Sequence, residues 1–242
     1  GDGLRLLRRT GLIAYVLPEV SALIDFHRSS RHHHKDVWAH TCTVVEQAVP
    51  HPIIRWAALL HDIGKVHTRS FSGNRKVHFL RHDDVGAVMF EGIAHRLRFN
   101  TFAAERIRLL IQHHLRPGLY HSGWSDSAIR RFAIEMDEIL DDLLHLGRAD
   151  VTSKIPGRRK AAIENLFELK SRIEYVRAED LIRKPRVPKG LGIHIINELG
   201  IKPGPEVGEL RKVCEVAVRE GVLAEEPAVG ECIEFLRKHL AA

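Results

Sequence analysis

Five apolar stripes with the spacing of an α-helix each carry an ionisable residue on the face that would point inward. In the first stripe, Val37, His40 and Val44 recur at intervals of three and four residues, which places them on one side of a helix. Burying so many ionisable groups without partners would cost several kcal/mol each, so the pattern predicts that they converge on a shared ligand. A metal ion satisfies imidazole and carboxylate groups together. The ionisable residues concerned are His40, His61 with the adjacent Asp62, His82, His114 and Asp150.

The same periodicity extends over most of the chain and predicts an all-α fold. The exception is residues 67–80, where two short β-prone runs flank Ser72-Gly73-Asn74 and predict a small hairpin. Gly64 follows the predicted helix that carries His61, and glycine commonly caps helix C-termini. Lys65 is therefore expected just beyond the end of that helix. The predicted helices cover residues 3–9, 18–27, 36–48, 53–63, 83–98, 101–115, 126–136, 138–150, 159–178, 190–199, 205–220 and 228–240.

The composition is typical of an ordered globular protein without disulfides. Hydrophobic residues make up 44% of the 242 residues, which permits a substantial core. The three cysteines, Cys42, Cys214 and Cys232, are far apart and form no CxxC pair, so we expect free thiols and a reducing, cytoplasmic location. No apolar run approaches the roughly 18 residues that a membrane span requires, so no membrane partner is expected.

The formal net charge is +6, and two basic clusters stand out in the second half of the chain. They favour a polyanionic partner such as RNA, with tRNA as a candidate, over an ordinary solvated surface. No aromatic residues alternate with these charges, so neither base stacking nor the reading of a DNA sequence is expected there. The clusters are Lys154, Arg158, Arg159 and Lys160, and Arg183, Lys184, Arg186 and Lys189.

The order of the candidate ligands resembles the motif of the HD-domain metal-dependent phosphohydrolase superfamily. That order is a histidine, a His-Asp pair, further histidines and a distant aspartate. In this sequence it runs as His40, H-D-I-G-K at 61–65, H-D-D-V-G at 82–86, Q-H-H-L-R at 112–116 and R-A-D at 148–150. The resemblance implies an HD-domain helical bundle over residues 1–155, which includes N-terminal lead-in helices.

Four stretches are similar to the C-terminal half of bacterial tRNA nucleotidyltransferases, the CCA-adding enzymes, and of related poly(A) polymerases. They read H-H-K-D-V-W-A-H, R-W-A-A-L-L-H-D-I-G-K, W-S-D-S-A-I-R-R-F and L-G-I-K-P-G-P-E-V-G. The likeness covers most of the chain and implies a helical, tRNA-facing tail over residues 156–242. Nothing matches the family's nucleotidyltransferase signature, a Gly-Ser followed by paired aspartates, so nucleotide addition by this chain is not expected.

These resemblances imply one or two divalent metal ions. Imidazole and carboxylate ligands suit manganese, iron, cobalt, nickel or magnesium better than structural zinc. One octahedral site would use His40, His61, Asp62 and Asp150. His82, His113 and His114 would hold a second ion with Asp62 as the bridge, an interpretation favoured by similar spacing in the two-metal HD-GYP phosphodiesterases. The alternative for His82 and His113 is that they orient or cap the other groups.

The chemistry that the resemblance implies is attack of a metal-activated water on phosphorus, with Asp62 and Lys65 as the catalytic residues. Lys65 would neutralise charge on the phosphoryl oxygens. The candidate substrate-binding residues are His34, Lys35, Arg116, Arg130 and Arg131. Either of the last two could instead face solvent.

Three functions fit these observations. The first is a metal-dependent phosphohydrolase acting on nucleotides or RNA 3' ends, with 2',3'-cyclic phosphates and 2'-phosphates as the substrates that the resemblance implies. The second is the tRNA-binding body of a larger or split tRNA nucleotidyltransferase. The third is a hydrolase of signalling nucleotides. The complete ligand set favours catalysis over binding alone, and the tRNA-like tail disfavours the third function.

Overall fold

The structure is a computed structural model that describes residues 1–26, 36–73, 77–182 and 186–240, with only the backbone of Leu181 and Ile182. Within these ranges the chain is helical apart from one two-stranded antiparallel sheet, which confirms the predicted all-α fold with a hairpin. The helices are α1 (Asp2–Arg9), α2 (Ile13–Val16), α3 (Pro18–Ser21), α4 (Val37–Gln47), α5 (Pro52–Leu60), α6 (Lys65–Thr68), α7 (His82–Arg96), α8 (Thr101–His113), α9 (Asp126–Glu135), α10 (Leu140–Asp150), α11 (Pro156–Ile182), α12 (Leu191–Leu199), α13 (Pro205–Arg219) and α14 (Val229–Leu240), and 3-10 turns cover Arg116–Leu119 and Asp137–Ile139.

Side-chain caps explain where several helices begin. Asp36 accepts a hydrogen bond from the Ala39 nitrogen at the start of α4, and Asn100 does the same for Ala103 at the start of α8. Ser125 caps α9 in this way. Each cap satisfies one of the backbone N–H groups that a helix N-terminus leaves unpaired.

The N-terminal region is the part of the described chain where helix prediction is least accurate. The predicted helix over residues 18–27 extends only from Pro18 to Ser21, and the unpredicted short helix α2 precedes it. After Ser21, backbone bonds such as that from the Leu23 nitrogen to the Val20 oxygen span three residues, and Asp25 has a φ of 56°. Such tight, partly left-handed turns depend on packing that apolar periodicity does not report.

The predicted hairpin is formed by β1 (Arg69–Phe71) and β2 (Val77–Phe79). The register pairs Ser70 with His78. The described residues on either side of residues 74–76 therefore belong to one small sheet, whose second strand ends just before α7.

Gly64 is not the C-terminal helix cap that the sequence predicts. It has a right-handed helical φ of −64° and precedes α6, whereas α5 already ends at Leu60. A Cβ atom on Gly64 would collide with the His82 carbonyl oxygen and lie 2.7 Å from the Gly86 nitrogen. Glycine is needed here because two backbone segments approach closely, not because the chain turns left-handed.

The chain divides into two compact units. The first comprises residues 1–122 and 138–168. At its centre, α5 packs against α4, α8 and α10, and α7 packs against α8. The fully buried side chains include Leu60 of α5, Ile107 of α8 and Leu143 of α10. The inward faces of the stripes therefore form the core, as their spacing predicts.

The second unit comprises residues 123–137 and 169–242. In it, α12, α13 and α14 pack together around a small apolar core that includes Leu191 and Leu236. Cys214 and Cys232 are buried in that core as free thiols, and burial raises the pKa of Cys214 to about 12. These two cysteines thus serve as apolar core residues.

This grouping of residues differs from the predicted division after residue 155. The segment with α9 belongs to the second unit although it precedes α10 in the chain, and α11 contributes residues to both units. A boundary placed from sequence follows the order of the chain, whereas compact units follow packing.

No described helix is long and apolar enough to cross a membrane.

Candidate metal centre

Three histidines direct their Nε2 atoms inward because the backbone holds their Nδ1 atoms. Nδ1 of His61 lies 2.9 Å from the Ala58 carbonyl oxygen, and His82 and His114 make the same contact, at 2.8 and 2.7 Å, with the residue three positions earlier. A carbonyl oxygen only accepts hydrogen bonds, so each Nδ1 is the donor. In the neutral ring, each Nε2 is then left with a free lone pair.

His40 is held by a side chain instead. Its Nδ1 lies 2.8 Å from the Thr152 hydroxyl. Its Nε2 lies 3.1 Å from Nε2 of His61 and 3.0 Å from Oδ1 of Asp150. His40, His61 and Asp150 form a group in which one ligand atom of each lies within 4.8 Å of the others.

Asp62, His82 and His114 form a second group of this kind. Oδ1 of Asp62 lies 3.4 Å from Nε2 of His82 and 3.9 Å from Nε2 of His114. Its Oδ2 lies 3.3 Å from Nε2 of His61 and 3.5 Å from that of His40. The Asp62 carboxylate therefore presents one oxygen to each group, as a bridging ligand would.

The six residues meet because they occupy helix ends in the first unit. His61 and Asp62 directly follow α5, His114 directly follows α8, and Asp150 is the last residue of α10. His82 is the first residue of α7, and His40 lies in the first turn of α4. The packing of α4, α8 and α10 against α5, and of α7 against α8, brings these ends to one place.

The donor set fits a divalent cation. Two Nε2 lone pairs 3.1 Å apart repel each other unless a proton or a cation lies between them. In the second group, Nε2 of His82 is buried and has no hydrogen-bond partner among the described residues. Imidazole nitrogen and carboxylate oxygen are common ligands of first-row divalent metals.

The pKa shifts of the two aspartates and of His114 also fit. Burial opposes ionisation of Asp62, but His61 and its other neighbours outweigh burial and hold the pKa of this carboxyl well below its usual value. At Asp150, burial is outweighed by the hydrogen bond to His40, and the pKa falls to about 2. Burial lowers the pKa of His114 to about 4. Ionised carboxylates and a neutral imidazole are the forms that bind metal. At His61, the effect of burial is outweighed by Asp62 and Asp150, which raise the pKa, so a proton on this ring would have to leave for an ion to bind.

Lys65 lies beside these ligands. Its ammonium donates to Oδ2 of Asp62 at 2.7 Å and lies 5.6 Å from the centre of the Phe79 ring. A cavity of about 450 Å³ opens over the cluster. Its lining includes His40, Asp62, Lys65, His82, His114, Asp150 and the less polar side chains of Val37, Phe79 and Leu115.

The HD domain family matches residues 32–155, a range that contains all six clustered residues. The chain belongs to the HD domain family. Membership of this family and the geometry of the cluster both support divalent metal binding at the histidines and aspartates.

Curated relatives of this HD-domain protein are tRNA nucleotidyltransferases. The chain is 33% identical over 229 residues to the CC-adding tRNA nucleotidyltransferase of Thermus thermophilus, covering 90% of this chain and 49% of the relative. It is 30% identical over 244 residues to the A-adding tRNA nucleotidyltransferase of Deinococcus radiodurans, covering 95% and 51%. A multifunctional CCA protein of Pseudomonas aeruginosa is 24% identical over 226 residues, covering 88% and 50%. The chain thus spans about half the length of the relatives it matches.

Of the predicted ligands, His113 does not lie with either group. It immediately precedes His114, and a step of one residue turns a helical side chain by about 100° away from its neighbour. It is half-buried, and burial together with the nearby Arg116 and Arg108 lowers its pKa. Arg116 opens the 3-10 turn that follows α8 and remains a candidate phosphate ligand.

The structure places Arg130 in a structural role within the second unit of this HD-domain protein. It is buried, and its guanidinium lies 2.8 Å from Asp180 and 3.4 Å from Glu225. Carboxylates therefore occupy the group that was predicted to bind phosphate, and Arg130 is no longer a candidate. Arg131 is exposed on the same helix and stays a prediction. His34 and Lys35 lie outside the described residues.

Thr152 and Gln47 are site residues that sequence analysis missed. Thr152 contacts His40, and Gln47 donates from Nε2 to the Ala149 carbonyl oxygen at 2.7 Å, which holds the end of α10 beside α4. Arg159 of the first basic cluster donates to the Gln47 side-chain oxygen at 2.6 Å. None of these three follows an apolar stripe, so periodicity offered no signal for them.

Proposed function

We propose that this HD-domain protein is a metal-dependent phosphohydrolase acting on phosphoesters of nucleotides or RNA ends. The observation that carries the proposal is the buried Asp62 carboxylate, with the Nε2 atoms of four histidines around it. A protein that only binds RNA has no physical need for such a buried set of metal ligands.

In this proposal, His40, His61 and Asp150 would hold one divalent ion, and His82 and His114 would hold a second. The Asp62 carboxylate would be a ligand shared by both sites, because one of its oxygens faces each group of histidines. Such ions, when bound, lower the pKa of a water and polarise phosphoryl oxygens. The backbone carbonyls behind the Nδ1 atoms keep three of the rings in the tautomer that ligation requires.

Lys65 is proposed to stabilise the phosphoryl group as negative charge grows on it. Its ammonium lines the cavity and is held by Asp62, so it need not reorganise during the reaction. The volume of about 450 Å³ lies within the range of roughly 300–1,000 Å³ that is common for small-ligand sites. A single nucleotide, or the terminal residue of an RNA, is the proposed occupant.

The relatives support a substrate drawn from RNA metabolism, because each is named for tRNA nucleotide addition or for the CCA sequence. Within that class we propose 2',3'-cyclic phosphates and 2'-phosphates. The metal is proposed to be manganese, iron, cobalt, nickel or magnesium, since hard and intermediate ligands predominate.

The test is a panel of phosphoesters assayed with each metal and with excess chelator. It should include 2',3'-cyclic AMP, 2'-AMP, 3'-AMP, 5'-AMP, a cyclic dinucleotide and a guanosine polyphosphate. Turnover of the first two that is lost on chelation and restored by metal is expected. Turnover of only the last two would identify a signalling-nucleotide hydrolase, and no turnover of any ester with a loaded centre would contradict the proposal.

A second candidate function is that of a tRNA-binding body. It is favoured by the relatives and by the exposed basic cluster of the first unit, which begins near Ser153 in the cavity lining. Tight tRNA binding that is unaffected by chelation, without hydrolysis, would support it. The two functions are compatible if both binding and turnover are found.

A further inference from the structure

His40 differs from the other three histidines in the chemistry of the group that holds its Nδ1. The others donate to backbone carbonyl oxygens, which can only accept. The Thr152 hydroxyl beside His40, at 2.8 Å, can either accept or donate. His40 is therefore the one histidine of the described cluster whose partner permits both neutral tautomers.

The contacts of Nε2, on the opposite side of the His40 ring, make the choice of tautomer important. Its Nε2 lies 3.1 Å from Nε2 of His61 and 3.0 Å from Oδ1 of Asp150. The Ala58 carbonyl fixes the proton of His61 on Nδ1, so its Nε2 is a bare acceptor in the neutral ring. Without a bound ion, a proton on Nε2 of His40 turns the 3.0 Å contact with the Asp150 carboxylate from a repulsion between two acceptors into a hydrogen bond, and it also removes the repulsion from a neutral His61.

With an ion bound, the requirement is reversed. Nε2 of His40 must be bare to act as a ligand, so the proton of the neutral ring must be on Nδ1. The Thr152 hydroxyl then accepts from Nδ1, whereas it donates to Nδ1 when the proton is on Nε2. No net proton is gained or lost by the ring in this exchange.

We propose that Thr152 is a positioning residue that lets His40 exchange tautomers when the metal binds. The inference rests on the proposed metal centre and extends it to a residue outside the ligand set. Thr152 lies two residues after Asp150, so one short segment delivers both the carboxylate and the hydroxyl to His40. Gln47 holds the same segment through the Ala149 carbonyl.

The affinity test compares Zn²⁺ binding to the full chain by competition with a fluorescent chelator. Thr152→Val keeps the branched shape but leaves Nδ1 of His40 without a partner, and its affinity should fall roughly 10- to 100-fold, as for other groups that orient metal ligands. Thr152→Ser keeps a hydroxyl and should stay within about threefold of the parent by the same reasoning. Unchanged affinity in Thr152→Val, or failure of Thr152→Ser to retain affinity, would overturn the proposal.

A matched control exists in α4. Thr41 is fully buried beside His40 in sequence, and its hydroxyl has no hydrogen-bond partner among the described residues. Thr41→Val makes the same chemical change without touching the Nδ1 contact, so Zn²⁺ affinity should be preserved. An equal loss in Thr41→Val and Thr152→Val would mean that general packing, not the hydroxyl, determines affinity.

The tautomer can be measured directly on the unaltered protein by long-range ¹H–¹⁵N correlation of the histidine rings. In chelator-treated protein His40 should carry its proton on Nε2, and with Zn²⁺, a diamagnetic probe, on Nδ1. A proton on Nδ1 in both states would overturn the proposal whether or not Thr152→Val folds. Failure of the parent protein to bind Zn²⁺ or any other divalent metal would instead contradict the metal centre itself, so the two failures are distinguishable.

Discussion

Asp62 connects the two groups of histidines, because its two oxygens face different rings. Its removal as Asp62→Ala should release most of the bound metal and abolish hydrolysis. The loss of affinity should exceed the roughly 10- to 100-fold typical of groups that only orient ligands. Metal content by elemental analysis and circular dichroism should be measured on the same samples, since the apolar stripes remain and the helical spectrum should be retained.

Asp84→Ala is the matched control for this substitution. Asp84 is more exposed and pairs with Arg81 at 3.0 Å rather than with a histidine. It should keep both metal and turnover. Full metal occupancy with normal turnover in Asp62→Ala would contradict the metal centre.

Lys65 is expected to act in the transition state more than in substrate binding. Lys65→Ala should lower kcat by about 10²-fold or more, the scale for losing one preorganised charged group, with a much smaller change in KM. Metal should be retained because an ammonium is not a ligand. Steady-state kinetics on the best substrate of the panel would measure both constants.

Lys65→Arg tests whether charge alone is sufficient at this position. It should recover part of kcat, since a cation is kept while the 2.7 Å contact with Asp62 changes. A large rise in KM with unchanged kcat in Lys65→Ala would assign Lys65 to ground-state binding instead.

At the scale of elements, the close approach at Gly64 ties the start of α6 to the start of α7. Gly64→Ala should lower the free energy of unfolding by about 1–3 kcal/mol, the usual range for forcing extra atoms into a packed region. It should also weaken metal binding, because the His82 carbonyl that must move belongs to a ligand residue. Chemical denaturation and metal affinity are the measurements.

Gly92→Ala is the control within α7. A Cβ there would meet no atom within 4 Å. Because alanine is the better helix former, this change should stabilise the protein by roughly 0.5–1 kcal/mol. Equal effects of the two substitutions would show that the approach at Gly64 is looser than the structure indicates.

Arg130 links α9 to α11 within the second unit through Asp180. Arg130→Ala should lower the free energy of unfolding by about 2–3 kcal/mol, less than for a fully buried pair because Asp180 keeps partial solvent contact. The exposed neighbour Arg131 provides the control, and Arg131→Ala should change stability by no more than about 0.5 kcal/mol. Thermal or chemical denaturation that shows equal effects would contradict this role for the ion pair.

At the scale of the whole molecule, the surplus of positive charge predicts salt-dependent RNA binding. If the basic cluster of the first unit follows a phosphate backbone, the logarithm of tRNA affinity should fall with that of salt, with a slope of about −0.7 to −0.9 per neutralised phosphate. Arg158→Glu combined with Lys160→Glu should weaken binding and flatten that slope. Hydrolysis of a small nucleotide should be unaffected.

Arg159 is left unchanged in this variant because it donates to Gln47, which in turn holds the end of α10 that carries Asp150. Arg9→Glu combined with Arg55→Glu alters the net charge equally, at exposed positions outside the cluster. It should reduce tRNA affinity much less. Equal losses in both double variants would mean that overall charge, not the cluster, attracts RNA.

Local patterns determined the helices and most of the candidate ligands. Apolar residues at three- and four-residue intervals identify a helix face without knowledge of its partner, because helix geometry repeats within a few residues. An ionisable residue on that face is therefore visible in the sequence, as His61 and Asp150 are. The same geometry separates His114 from His113, whose exclusion from the cluster the structure then shows.

Only the tertiary structure decided how these residues combine. The division of ligands into two groups, the opposed oxygens of Asp62 and the contact of Thr152 with His40 all depend on how helix ends meet. The collision that requires glycine at position 64 is with the backbone of His82, which belongs to a different helix. Contacts between distant segments produce no periodic pattern in the sequence, because their distances depend on how the helices pack and not on spacing along the chain.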